Sequence, residues 1–156
     1  MILATHALVG AAIGKNISNP LLIILLSVPI HFFLDTFRHG EYFDSRVATV
    51  KDTAWKVLLD LSVGGAIMLA YFIGAKPSFE VIRNMLLGSF VSMLPDLLTM
   101  LYWKFHSKWL GKIKKFHTLS HRYDRFPKFS PERQWTIRNA MNDVIFSLIA
   151  IILIFL

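Results

Sequence analysis

His31, Asp35 and His39 follow one another at i, i+4 and i+8, a spacing that puts all three on one stripe of a helix. Two imidazoles and a carboxylate on a shared stripe form the donor mixture that Zn²⁺ and related divalent metals prefer, the alternative being a hydrogen-bonded core network. His117 and His121 repeat the i, i+4 step within Phe116-His117-Thr118-Leu119-Ser120-His121. His6 interrupts an apolar run near the start, and Asp60 and Asp96 interrupt two more. Ionisable groups in such runs are costly and usually face a bundle interior or serve a function. The chain has no cysteine, so disulfides, CxxC redox chemistry and thiolate zinc sites are excluded and any metal must rest on nitrogen and oxygen.

His6, His31, Asp35, His39, Asp96, His117 and His121 make seven candidate ligands, more than one tetrahedral zinc takes. Two divalent ions about 3.5–4 Å apart are the natural inference, able to activate water, polarise an ester or phosphoryl oxygen and stabilise a leaving oxygen. Three roles are open to Asp60: a general base, a hydrogen-bond partner behind a ligating histidine, or a helix–helix contact, with the partner role preferred. Asp143 is expected to pair with Arg138 or Asn142, or to close the bundle, rather than to ligate. His106 has no partner at helical spacing and is expected to be solvated or interfacial.

For these residues to meet, the elements carrying them must converge, and composition says where. Of 156 residues, 54% are apolar and only 17% charged, with a mean hydropathy of +0.51. That is too apolar for a soluble surface of this size, which excludes a disordered chain or a free cytosolic enzyme. A hydrocarbon core of about 30 Å needs roughly 20 apolar residues in a helix. Four segments approach this length: 20–37, 53–74, 78–105 and 131–156. A fifth, 2–14, would reach only about 20 Å and is expected to be a partial span. It lacks a positive flank and a cleavage site, so it reads as mature protein rather than a signal peptide.

Ser18-Asn19-Pro20 and Ser130-Pro131 are helix-start signals, and Gly40 is a candidate C′ residue for the second helix. Pro29 and Pro95 are expected to bend their helices around the polar residues beside them. Gly10, Gly14 and the Gly64-Gly65 pair are expected to let helices approach closely. The expected fold is therefore an all-α polytopic membrane bundle, one integral membrane domain over 1–156, with four spanning helices, the partial span and a cytoplasmic interfacial helix.

The net charge of +7 is not a nucleic-acid signal, because ten of the seventeen basic residues fall within 104–138. Alternating spans put fourteen basic residues on one face and only Lys15, Lys76 and Arg83 on the other. The positive-inside rule makes the basic face cytoplasmic. On that face Phe105, Trp109, Ile113 and Phe116 recur at helical spacing, with Lys108, Lys112 and Lys115 elsewhere on the wheel: an interfacial helix, able to meet anionic head groups. Every candidate ligand lies in the half of its segment nearer this face, so a single cytoplasm-facing pocket could gather them.

The stretch from Thr5-His6 to Gly14, His31-Phe32-Phe33-Leu34-Asp35, the Pro95-Asp96 step and HTLSHR together resemble the membrane-bound metal-dependent hydrolase family. The resemblance covers most of the chain. Many relatives carry Pro-Asp-x-Asp where Leu97-Leu98 follow Asp96 here, and larger members carry H-R-G-x-T-H-S in place of HTLSHR. That family's distant likeness to zinc-dependent phospholipase C and S1/P1 nucleases implies phosphoester hydrolysis at a zinc centre of one or two ions. The expected function is thus a hydrolase of lipid or lipid-linked phosphoesters in the cytoplasmic membrane, using metal-activated water. The alternative is a non-enzymatic divalent-metal binder or transporter. A di-iron lipid oxidase would share the HxxxH spacing but lacks an adjacent His-His pair, and a metalloprotease would need HExxH.

Overall fold

A computed structural model of the chain describes residues 1–40, 50–121 and 136–156, the side chains of 50–53 excepted. Six helices account for almost all of it: α1 (Leu3–Asn16), α2 (Pro20–Asp35), α3 (Val50–Ala75), α4 (Phe79–Phe105), α5 (Lys108–Ser120) and α6 (Ile137–Phe155). No strand occurs among the described residues. The Ser130-Pro131 start lies outside them.

Among the described residues three helices, fewer than the four expected, are long and apolar enough to cross a membrane: Ala54–Ala75, Phe79–Phe105 and Ile137–Phe155. The correction falls on α2. Asn19 caps it as expected, its side chain accepting from the N–H groups of Leu21 and Leu22 with Pro20 in the first turn. At the other end Thr36 stops it, the hydroxyl donating to the Phe33 carbonyl at 2.7 Å. Sixteen residues reach only about 24 Å, and Gly40 is therefore not the C′ residue. The apolar spacing continues to Phe37, but Thr36 and Phe37 donate to the carbonyls three residues back, those of Phe33 and Leu34, and the α-helix ends there.

The molecule is apolar outside and polar within. Leu58, Leu69, Ile73, Phe90, Leu148 and many similar side chains are exposed, while Thr5, His6, Ser27, His31, Asp35, Ser92, Asn139 and Asp143 are buried. Such a surface suits lipid, and each buried polar group must then find its partner inside the bundle.

The expected partial span is the central helix. Small residues make this possible: Ala4, Ala7, Gly10, Ala11, Ala12 and Gly14 of α1 are buried, and the helix packs on α2, α3, α4 and α6. A Cβ added at Gly10 would lie 2.2 Å from the Gly88 carbonyl oxygen, and one at Gly14 would lie 2.0 Å from that of Asn84. Backbone touches backbone there, as a small-residue stripe permits. These contacts pair ascending α1 residues with descending α4 residues, so the two helices are antiparallel. Thr5 meets Ser147 at 2.9 Å and Asn16 donates to the Leu153 carbonyl, so α1 and α6 are parallel. Gly64 is in ordinary contact with Ala4, whereas nothing stands opposite Gly65; the pair does not mark a close crossing. Pro29 and Pro95 sit inside helices that continue through them.

Candidate metal centre

The first four backbone N–H groups of a helix have no partner within it, and Ile2 offers no side-chain cap to α1. Carboxylates from two other helices take the cap's place. Ile2 donates to Asp143 at 3.0 Å, and Leu3 and Ala4 donate to the two oxygens of Asp60 at 2.7 and 3.3 Å. Negative groups are favoured at this positive end of the helix. The amino group of Met1 donates to Asp35. Burial works against its charge, but Asp35 and Asp96 nearby hold its pKa above the ordinary value. His6, one turn further, is thereby delivered into the bundle.

Asp35 is the centre of the site. Its Oδ1 lies 3.2 Å from His6 Nε2; its Oδ2 lies 3.1, 3.0 and 3.3 Å from the Nε2 atoms of His31, His117 and His121. His117 Nε2 is also 3.2 Å from His31 Nε2 and 3.1 Å from His121 Nε2. Two triangles of donor atoms result, His31–Asp35–His117 and Asp35–His117–His121, sharing an edge. All five edges fall between 3.0 and 3.3 Å. Ligands at 2.0–2.1 Å from a tetrahedral ion are separated by about 3.3 Å, so these side chains stand at ligand spacing.

The proton inventory of His117 leads to the same place. Its Nδ1 is 2.8 Å from the Thr99 hydroxyl, which itself donates to the Pro95 carbonyl at 3.1 Å. Nδ1 must then be the donor, so in the neutral tautomer Nε2 turns its lone pair on Asp35 Oδ2. A lone pair and a carboxylate oxygen repel at 3.0 Å unless positive charge stands between them, either a second proton on the ring or a cation. His39 is set the same way. Its Nδ1 donates to the Phe37 carbonyl at 2.9 Å, and burial depresses its pKa well below the usual imidazole value. A neutral ring with a free Nε2 is the ligand form.

Two groups of side chains present donor atoms within 4.8 Å of one another: His31, Asp35, Asp96 and His117, and separately Asp35, His39 and His121. Asp35 belongs to both. Asp96 reaches His117 through Oδ1 at 3.5 Å and His6 through Oδ2 at 3.9 Å, and Oδ2 has no hydrogen-bond partner. His6 and His31 stack with ring centroids 4.1 Å apart, and the Nδ1 atoms of both are also without partners.

All seven expected ligands therefore meet in one place, contributed by α1, α2, α4, α5 and the turn after α2. His39 arrives by a different route from the expected stripe, because α2 has already ended. The turn is held by Asn142, which donates to the Arg38 carbonyl at 2.7 Å, and the His39 ring packs on that of His121 at 5.1 Å. Asp60 stands apart, bound to the start of α1. Asp143 closes α6 against that same start. His106 is exposed and ends α4 in the left-handed conformation at φ 50°, a geometry that histidine tolerates better than most residues. Sequence spacing did not single out Thr99, although it lies one turn after Pro95 and three residues after Asp96.

No protein family matches this chain, and no curated protein or solved structure is detectably similar to it. The chemistry must be argued from these side chains alone.

Proposed function

We propose that this protein is a membrane-embedded, metal-dependent hydrolase of phosphoester bonds in lipids or lipid-linked substrates, with its site on the cytoplasmic face. The observation that carries this is the gathering of His6, His31, His39, His117 and His121 around Asp35 and Asp96, with the Asp35, His31, His117 and His121 donors at ligand spacing. Five imidazoles and two carboxylates suit zinc, and Asp35, with one oxygen towards His6 and the other towards His31, His117 and His121, would be a ligand common to both groups of side chains. A divalent cation there would supply a water of lowered pKa and a charge to draw on a phosphoryl oxygen. The chain's own part is orientation: Thr99 and the Phe37 carbonyl fix ring tautomers, Asn142 holds the turn bearing His39, and Asp60 anchors the helix that brings His6.

Four expected spans remain part of this proposal, with α2, a shorter apolar helix, as the fourth. The fourteen-to-three division of basic charge supports the cytoplasmic assignment.

Transport of the metal is the competing function. It is disfavoured by the backbone contact of Gly10 and Gly14 with Gly88 and Asn84 directly beyond His6, which closes that side of the bundle. The deciding experiment pairs elemental analysis of purified protein with head-group or phosphate release from phospholipid vesicles. Wild-type protein should hold roughly one or two divalent ions per chain and turn over substrate, and His31→Ala should do neither. Protein that takes up no divalent metal after reconstitution has no such chemistry.

A further inference from the structure

A cleft of about 360 Å³ opens between α2, α4 and α5. Val28, Phe32, Pro95, Leu98 and Phe116 are among its apolar walls, and Lys112 is its one charged side chain. Its volume lies in the range of small-molecule sites, about 300–1,000 Å³. Three of its wall residues adjoin candidate ligands in the chain: Phe32 follows His31, Pro95 precedes Asp96 and Phe116 precedes His117. The Phe32 ring stands edge-on to His31 at 5.2 Å, to His117 at 5.8 Å and to Phe116 at 4.9 Å. One phenyl ring therefore forms both the wall of the cleft and a wall of the metal centre.

We infer that this cleft is the acyl-chain subsite for an anionic phospholipid, with Lys112 as the contact for its phosphate. The inference rests on the hydrolase reading above and names the substrate class of that same site. Apart from Lys112 the walls offer no side-chain hydrogen-bonding group, so a peptide laid in the cleft would leave backbone groups unsatisfied at a cost of several kcal/mol each. A hydrocarbon chain has no such requirement. Charge complementarity selects an anionic head: Lys112 forms no ion pair among the described residues, and its helix carries Lys108, Lys114 and Lys115 besides. The same helix exposes Trp109 and Phe116, as a helix lying at the bilayer interface does. A lipid could then enter sideways from the bilayer, its chain passing along Phe32 and its phosphate held between Lys112 and the Asp35 centre.

The test is photolabelling of the full chain in phosphatidylcholine nanodiscs, with trace phosphatidic acid carrying a diazirine at the end of one acyl chain and the adducts mapped by mass spectrometry. Adducts should concentrate on 28–32, 94–98 and 113–116. Val28→Trp and Leu98→Trp, which fill the cleft, should each cut them about tenfold while metal content stays at the wild-type level, the sign that the fold is intact. Lys112→Gln should lower phosphatidic acid labelling to that of a diazirine phosphatidylcholine. Label spread over the outward faces of α3 and α6, and unchanged in both tryptophan variants, overturns the subsite. An isoprenyl phosphate that displaces the label when excess phosphatidic acid does not overturns the acyl assignment. His31→Ala separates the two ideas. It should keep cleft labelling while losing metal, so a protein without hydrolysis can still sustain the subsite; turnover of a water-soluble phosphodiester without cleft labelling removes the subsite alone.

Discussion

Ligands and the residues that orient them should differ measurably. Alanine at Asp35 or His117 removes a donor from the edge the two triangles share, and alanine at His31 removes the apex of one, so elemental analysis should show near-complete loss of metal, against no change for His106→Ala on the exposed end of α4. Thr99→Val keeps the shape of the side chain but takes away the acceptor for His117 Nδ1–H. Metal affinity should fall about 10–100-fold, the usual effect of losing an outer hydrogen bond to a ligating histidine. A Thr99→Val protein that binds metal as tightly as wild type would show that the tautomer of His117 is set by something else. The residues that gather around Asp35 were legible in the sequence: His6, His31, Asp35 and Asp96 because ionisable groups stand out in apolar segments, His117 and His121 by their i, i+4 spacing. Thr99 was not, since a threonine hydroxyl in a membrane helix ordinarily bonds back to its own backbone, as this one also does.

Asp60 belongs to the element scale: of the roles open to it, the one its contacts match is a helix–helix bond, since it accepts from the first N–H groups of α1. Asp60→Asn should lower thermal stability by about 0.5–2 kcal/mol, the range for a lost helix cap, with metal stoichiometry retained; unfolding in detergent followed by elemental analysis checks both. Unchanged stability with abolished turnover would instead restore the general-base role. Gly10→Ala is the sharper change. Its Cβ would meet the Gly88 backbone at 2.2 Å, so α1 and α4 must separate, at about 1–3 kcal/mol or more. The long apolar helices were readable from length alone. The place of α1 was not, because its 14 residues look too short to matter by hydropathy, and what makes it central is the absence of side-chain bulk at Gly10, Gly14 and Gly88. His39 shows the limit of periodicity: the i+8 spacing holds in the sequence, yet the helix ends at Asp35 and a turn carries the ring to the same destination.

The whole molecule gathers its chemistry at one end, where the start of α1, the end of α2, the first half of α3, the second half of α4, α5 and the start of α6 come together. Reporter tags after Asp44 and within 112–125 should therefore lie on one side of the membrane, the cytoplasmic one, and a tag after Leu156 on the other; protease accessibility in vesicles reads this directly. Tags in the first two positions on opposite sides would break the shared site. Metal should also stabilise the fold as a whole, by about 2.7 kcal/mol at a hundredfold excess over Kd, so a chelator should lower the melting temperature of wild-type protein and leave His31→Ala unmoved. The stitching of α1 has a consequence for biogenesis. Ile2 is bonded to Asp143 across 141 positions of sequence, and Thr5 to Ser147 across 142. A ribosome makes one end of each bond long before the other. Until α6 emerges, the short central helix has neither its parallel neighbour nor a full complement of caps, so the nascent bundle waits with its middle loosely seated. A helix made late thus locks one made early.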